Sequence, residues 1–327
     1  MTEFLNNAVS GFESGTAVAL GNFDGFHKGH TAIVDAMNEF ARQVNLVSCI
    51  YTFEVHPSSY LESDSEEGCV PLLMTNAEKS KRASDMGVGA IVYDDFEAVC
   101  DMSPALFCEE VVIGRLNAKA VFCGQNFRFG QNAEGDADFL RAELSNYGVQ
   151  VFTVPFVKHG GDIVSSTLIR EFVEFGSVEI AEKLLGRPYS IECEVIHGME
   201  LGRKLGFPTI NQLYPSEKVA PLRGVYASVC TVDGERYAAV SNVGVKPTVT
   251  DPQTAPLLCE SYVIGYNGDA YGKIVKTEFC KMLRREKKFL NLDELTASVL
   301  NNIEETKAFF AKENRYGIIL KKWENIE

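Results

Sequence analysis

The sequence predicts an α/β protein of two domains, a parallel sheet layered with helices followed by a small antiparallel β-barrel with a final helix. Two observations predict it. Short apolar runs alternate with longer amphipathic ones as far as about Val154, whereas beyond Pro188 the chain breaks into short strand-like runs divided by Gly, Asn-Gly and Asp-Gly turns. In addition, 327 residues exceed the usual size of one domain, and either half is long enough to bury its own core.

In the first half the apolar runs are Ala17 to Leu20, Leu46 to Phe53, Ala90 to Tyr93 and Ala120 to Cys123; the amphipathic ones are 31–42, 76–86, 104–116 and 136–147. Ile33, Ala36, Met37 and Phe40 stand at i, i+3, i+4 and i+7, so the first helix turns one face to the sheet. The acidic, serine-rich stretch Glu62 to Glu67 reads as a solvated loop. A second helical patch, 165–175 and 178–185, ends in Gly186-Arg187-Pro188, the expected boundary between domains 1–186 and 187–327. Beyond it, runs at 189–197, 225–232, 236–243, 258–266 and 273–280 suit a small barrel. Leu292, Leu295, Val299, Ile303, Thr306 and Phe310 then step by three and four along a helix expected to cross the barrel wall.

A formal charge of -14 repels polyanions and anionic lipid surfaces, so no nucleic-acid or membrane partner is expected and any phosphate ligand must be held locally. No run approaches the roughly 18 apolar residues of a membrane span. The first residues, Met1 to Asn7, lack the basic-then-apolar layout of a signal peptide, which gives a cytoplasmic expectation. Nine cysteines, an odd number scattered singly with no Cys-x-x-Cys pair, suit reduced buried thiols rather than disulfides or zinc. The sequence leaves a homo-oligomer open.

Chemistry concentrates in two places. An apolar run ends in Gly21-Asn22-Phe23-Asp24-Gly25-Phe26-His27-Lys28-Gly29-His30 and a helix begins at once. Glycines at the end of a strand let backbone approach a phosphate, and the following helix offers N–H groups and its positive end. Two histidines three residues apart can then donate to one polyphosphate as charge develops on it. An isolated His-x-x-His more often satisfies local backbone; the glycine-rich strand-to-helix setting reverses that balance. Gly124-Gln125-Asn126-Phe127-Arg128-Phe129-Gly130 follows another strand, and Ser165-Ser166-Thr167-Leu168-Ile169-Arg170 opens a helix with three hydroxyls and a guanidinium one turn later.

In the second half, Gly198-Met199-Glu200-Leu201-Gly202-Arg203-Lys204-Leu205-Gly206-Phe207-Pro208-Thr209-Ile210-Asn211 spaces three glycines four apart and ends in a hydroxyl and a carboxamide suited to Mg²⁺ and a nucleotide phosphate. Gly224 to Ala227, Asn242 to Thr248 and Cys259 to Tyr262 follow at strand positions. Glu260 is the candidate to accept the proton of a primary alcohol; taken alone it would be a solvated strand charge.

On these segments, and on Thr52-Phe53-Glu54-Val55-His56-Pro57 and Ser103 to Glu110, residues 16–186 resemble the FMN adenylyltransferase module of bacterial bifunctional riboflavin kinase/FAD synthetases, a branch of the HxGH nucleotidyltransferases. From about 187 onward the chain resembles the riboflavin kinase module of the same family, matching it at Glu260, Asp269-Ala270-Tyr271-Gly272 and Leu283-Arg284-Arg285-Glu286-Lys287-Lys288-Phe289. The resemblance implies a Rossmann-like nucleotidyltransferase domain and a riboflavin kinase-like barrel that together convert riboflavin to FMN and FMN to FAD. ATP is then the co-substrate, Mg²⁺ the metal, and FMN and FAD the product ligands. It gives His27 and His30 the ATP phosphates, with Gly21, Asn22, Phe23, Asp24, Asn126, Arg128, Ser165, Ser166, Thr167 and Arg170 completing the transferase site. In the kinase it gives Gly198, Gly202, Arg203, Gly206 and Pro208 the nucleotide loop, Thr209 and Asn211 the Mg-ATP, Glu260 the role of base, and Arg284 and Glu286 the flavin cover. Departures are Asn126 for a common Asp, Ile210 for Ala, Tyr262 for His, Lys246 for Arg and Val249 for Phe. Two alternatives stand beside this reading: an FMN adenylyltransferase with an impaired kinase domain, and a non-catalytic flavin-binding regulator.

Overall fold

Residues 3–6, 12–61, 70–198, 202, 205–245, 256–313 and 316–318 are described by a computed structural model of the chain. The acidic loop Glu62 to Glu67, Arg203, Lys246 and Val249 lie outside the described residues. The chain divides into two compact units, Met1–Ser166 and Thr167–Glu327.

The first unit is built on six strands, all pairing in parallel: β1 (Glu3–Asn6), β2 (Thr16–Leu20), β3 (Val47–Phe53), β4 (Ala90–Asp94), β5 (Ala118–Gly124) and β8 (Gln150–Val154), in the spatial order β1-β4-β3-β2-β5-β8. Two short antiparallel pairs flank it, β6 (Arg128–Phe129) with β7 (Gly135–Asp136) and β9 (Lys158–His159) with β10 (Asp162–Ile163). The sheet reads as apolar runs because both faces are covered. Val18, Leu20, Cys49, Tyr51 and Val121 pack with Phe107, Val111 and Leu140 on one side. Ala17, Ala19, Ile50, Ile91 and Phe122 pack with Ile33, Val34 and Met37 of helix α1 (Lys28–Val44) on the other. The chain runs outward from β2 through β3 to β4 and returns to lay β5 on the opposite side of β2. That makes β2/β5 the switch point, where the crevice beyond the strand ends collects ligands.

One expected helix has a different winding: 104–116 opens as a short α-turn, Pro104–Leu106, and continues as a π-helix, Phe107–Arg115. The wider turn closes with Leu116 N–H on the Val111 carbonyl and brings Arg115 onto the buried Asp94 carboxylate at 2.6 and 3.2 Å.

The second unit holds a closed barrel of six antiparallel strands: β11 (Tyr189–Ile196), β12 (Thr209–Leu213), β13 (Gly224–Val232), β14 (Glu235–Val245), β15 (Leu257–Val263) and β16 (Ile274–Arg285), in the order β11-β12-β15-β14-β13-β16. Five of these coincide with the runs that the sequence predicts; β12 falls where the sequence predicts only the end of a loop. Its interior is partly polar yet satisfied: Ser241 Oγ lies 2.7 Å from Ser261 Oγ, and Gln212 donates to the Cys193 and Val275 carbonyls at 3.0 and 2.6 Å. The final helix, Leu292–Lys312, lays Ile303 and Phe310 on Val225, Ala227, Ala238 and Val240 of the barrel wall. Helix Val178–Leu185, placed by sequence ahead of the boundary, packs on β16 and β11, and the Tyr316 hydroxyl donates to Glu182 at 2.9 Å.

No disulfide joins cysteines among the described residues. Burial pushes the thiols of Cys49, Cys108 and Cys259 up to about 12 and those of Cys123 and Cys230 up to about 11, from 9.0. A folded-state pKa raised in this way gives stability that is full below pH 9 and is lost as pH climbs through 11 to 12. Resistance to urea is therefore expected to fall above pH 9, each thiol adding a slope of about 1.4 kcal/mol per pH unit. Cys49→Ala should flatten that slope by one proton; an unchanged slope across pH 9 to 11 would contradict the assignment.

Candidate active sites

In the first unit, β2 delivers the chain into Gly21 to His27 at the switch point, and α1 starts at Lys28. The turn between them is tight: Phe23 (φ 50°), Gly25 (φ 78°) and Phe26 (φ 39°) are left-handed, and both phenylalanines are fully buried. Left-handed backbone is unusual for a bulky residue and persists only where surroundings fix it. Asp24 does much of that fixing. It is buried, and its carboxylate accepts the N–H groups of Leu73 at 2.9 Å and Met74 at 3.1 Å, while its carbonyl accepts the Ser166 hydroxyl at 2.9 Å.

His27 caps α1. Its Nδ1 accepts the N–H groups of Gly29 at 3.1 Å and His30 at 3.3 Å. With Nδ1 an acceptor, the neutral ring carries its proton on Nε2, which becomes a donor at the helix's positive end. The His30 ring stacks on it at 3.7 Å between centroids and 19° between planes, and the Phe23 ring backs His30 at 5.2 Å. Gly21 to His30 and Ser165 to Ser166 thus meet around the start of α1, and Gly124 to Gly130 leaves β5, the strand beside β2. Asn126 and Arg128 are exposed, the latter 3.6 Å from Asp136; a Cβ at Gly124 would stand 3.0 Å from Asn126 Oδ1. Thr167 is exposed and Arg170 buried, both in the second compact unit. Sequence reasoning passed over Lys79, a buried lysine donating to the Asn22 carbonyl at 3.1 Å.

In the second unit the expected residues gather on the barrel's outer face. Gln212, Ser241 and Ser261 point inward, so period-2 alternation turns Thr209, Asn211, Asn242 and Glu260 outward. The register sets Glu260 opposite Asn211 on one side and Asn242 on the other, which brings both carboxamides beside the carboxylate. The sequence alone gives Asn242 no role; the register does. Tyr262, opposite Thr209, meets the Phe207 ring edge to face at 5.8 Å.

Thr209, Asn211, Ile210 and Pro208 line a cavity of about 570 Å³ with Tyr266 to Tyr271, including the matched Asp269-Ala270-Tyr271. Asn211 is buried beneath Gly198, where any Cβ would strike its carboxamide. A Cβ at Gly202 would likewise strike the Phe207 carbonyl, whereas Gly206 (φ 86°) serves by conformation. Glu286 lays its carboxylate over Gly244, where a Cβ would stand 2.5 Å from Oε1. Arg284 donates to Asn302 of the final helix at 3.1 Å and lies 5.5 Å from the Phe289 ring centroid. Thr209 and Asn211 supply oxygen atoms at the cavity wall, the donor type that a hard cation such as Mg²⁺ accepts together with phosphate and water.

Residues 10–168 match the family model for FAD synthetase, and residues 185–310 match that for riboflavin kinase. The bifunctional riboflavin kinase/FMN adenylyltransferase of Pseudomonas fluorescens is 32% identical over 91% of this chain and 94% of its own. The Escherichia coli K12 protein of the same name is 30% identical over 94% and 96%. A Streptococcus pneumoniae crystal structure described as a macrolide-efflux protein superposes with a TM-score of 0.81 at 26% identity, covering 93% of this chain and 98% of that one. Among the described residues no helix is long and apolar enough to cross a membrane. With two family models in tandem and relatives matched along almost their whole length, this chain belongs to the bifunctional riboflavin kinase/FMN adenylyltransferase family.

Proposed function

We propose that this chain makes FAD in two ATP-dependent steps on separate compact units, phosphorylating riboflavin on the barrel and adenylating FMN at the switch point of the parallel sheet. Family membership gives the two activities; the observation that carries their placement is the His27–His30 stack at the positive end of α1, where the strand order reverses. In adenylyl transfer the FMN phosphate attacks the α-phosphorus of ATP and pyrophosphate leaves. Nε2–H of His27 and the His30 ring donate to the phosphate oxygens where charge accumulates, and no covalent intermediate is needed. Asn22, Phe23 and Asp24 act by holding the turn, and Asn126, Arg128, Ser165 and Ser166 complete the ligand contacts.

On the barrel, Glu260 accepts the proton of riboflavin's primary hydroxyl as its oxygen attacks the γ-phosphorus of ATP and ADP leaves. Asn211 and Asn242 stand on either side of that carboxylate, and Gly198, Gly202, Gly206 and Pro208 border the nucleotide. Thr209 and Asn211 would hold Mg²⁺ with ATP, where the cation would supply charge neutralisation for the phosphates. Arg284 and Glu286 border the flavin. The charge of -14 supports an enzyme of small molecules without nucleic-acid partners.

Purified protein given riboflavin, ATP and Mg²⁺ should yield FMN and then FAD by chromatography. FAD from supplied FMN, with no FMN from riboflavin, would favour the impaired-kinase alternative. Residues 167–327 expressed alone should make FMN and no FAD. A fragment starting at 187 should melt at a lower temperature, because it loses Glu182 and the helix against β16. A folded 167–327 fragment that phosphorylates riboflavin only when the first unit is added would contradict this division.

A further inference from the structure

Lys79 carries a charge that packing alone does not require. It projects from helix Asn76–Asp85 and is 6% exposed, where a methionine would fill similar space without the cost of burying an ammonium. Its Nζ lies 3.1 Å from the Asn22 carbonyl and 3.5 Å from Thr52 Oγ1, and Thr52 Oγ1 donates to the same carbonyl at 3.0 Å. Lys79 and Asn22 also line a small polar cleft with Thr52, Glu54, His56 and Asn76.

The Asn22 carbonyl and the Phe23 N–H are two ends of one planar peptide. Two donors on that carbonyl fix the plane from which the chain enters left-handed backbone at Phe23 (φ 50°, ψ 26°). The Phe23 ring in turn backs His30, and His30 stacks on His27. We propose that Lys79 is a positioning residue for adenylyl transfer: its ammonium, donating to the Asn22 carbonyl, holds the turn that keeps His30 in place beside His27. The inference rests on the reading of the histidine pair as the phosphate-stabilising group.

Burial lowers the Lys79 ammonium to about 8, with the Asp24 carboxylate opposing the shift. The charged and titratable groups around it are Asp24 from the turn, Glu54 and His56 following β3, and Tyr93 from β4, whose ring centroid is 5.7 Å away. The amine is therefore charged below pH 8 and neutral above, so its grip on the carbonyl weakens as pH rises.

The test compares wild type, Lys79→Met, Lys79→Arg and His30→Ala as full-length proteins, reading FAD formation from FMN and FMN formation from riboflavin on each preparation. Lys79→Met should lower kcat for FAD formation roughly 10- to 100-fold, with the KM for ATP changed less than about threefold and riboflavin phosphorylation unchanged. Wild-type kcat should fall as pH rises through about 8, and Lys79→Arg, a cation throughout, should lack that limb. A lysine with a merely structural role would leave the same limb in both proteins. If Lys79→Met does not fold, the comparison of wild type with Lys79→Arg decides. Full turnover by folded Lys79→Met, or an unmoved limb in Lys79→Arg, overturns the inference when His30→Ala is impaired. Full turnover by His30→Ala overturns instead the reading on which it rests.

Discussion

His30→Ala is expected to lower FAD formation from FMN by roughly 10²- to 10³-fold while leaving riboflavin phosphorylation intact, because it removes a donor aimed at charge that develops only during transfer. The loss should fall mainly on kcat. His27 needs a subtler substitution, since its Nδ1 also caps α1 through Gly29 and His30. Alanine there would cost helix stability of about 1 kcal/mol together with the chemistry. His27→Asn keeps a capping oxygen but loses the Nε2 donor, so it should fold normally and still lose transfer by a comparable factor. Steady-state rates of FAD formation, with a melting curve for each variant, check both. Normal FAD turnover in a folded His30→Ala protein would remove the histidines from the reaction.

Glu260→Gln is the counterpart on the barrel. The amide has almost the shape of the carboxylate and can keep its place opposite Asn211 and Asn242, yet it cannot accept the hydroxyl proton. Riboflavin phosphorylation should therefore fall roughly 10²-fold or more in kcat, with little change in KM. FAD made from supplied FMN should be unaffected. An equal loss in both activities would indicate misfolding, and a normal kinase rate would return Glu260 to a solvated strand charge.

How much of this was legible in the sequence depended on where each signal lies. The buried parallel strands and α1 were legible because their apolar periodicity is local, and the Gly21 to His30 turn because its glycines and histidines are contiguous. β12 was hidden. Its inward positions are Ile210 and Gln212, and a glutamine that satisfies two backbone carbonyls inside a barrel erases the alternation that marks a strand. The edge strand β1 pairs only with β4, across more than eighty intervening residues, and nothing near Glu3–Asn6 announces that partner. Asp24 was legible as part of a motif, but its partners Leu73 and Met74 are not adjacent to it in sequence. Lys79 sits in a helix whose other residues are mostly polar, and it reads as a solvated cation. Only the fold shows that its turn of the helix faces the Asn22 carbonyl. The pairing of Asn242 with Glu260 likewise depends on strand register, which the sequence does not print.

On the proposed division, two sites pass one chemical intermediate, FMN, from the kinase reaction to the transferase reaction. A complementation assay tests it most directly. His30→Ala protein given riboflavin, ATP and Mg²⁺ should stop at FMN, and Glu260→Gln protein should leave riboflavin largely unconverted. Mixed in one tube, the two variants should make FAD from riboflavin at a rate far above either alone. A mixture no better than its components, with both variants folded, would contradict the division of the chemistry between the two sites.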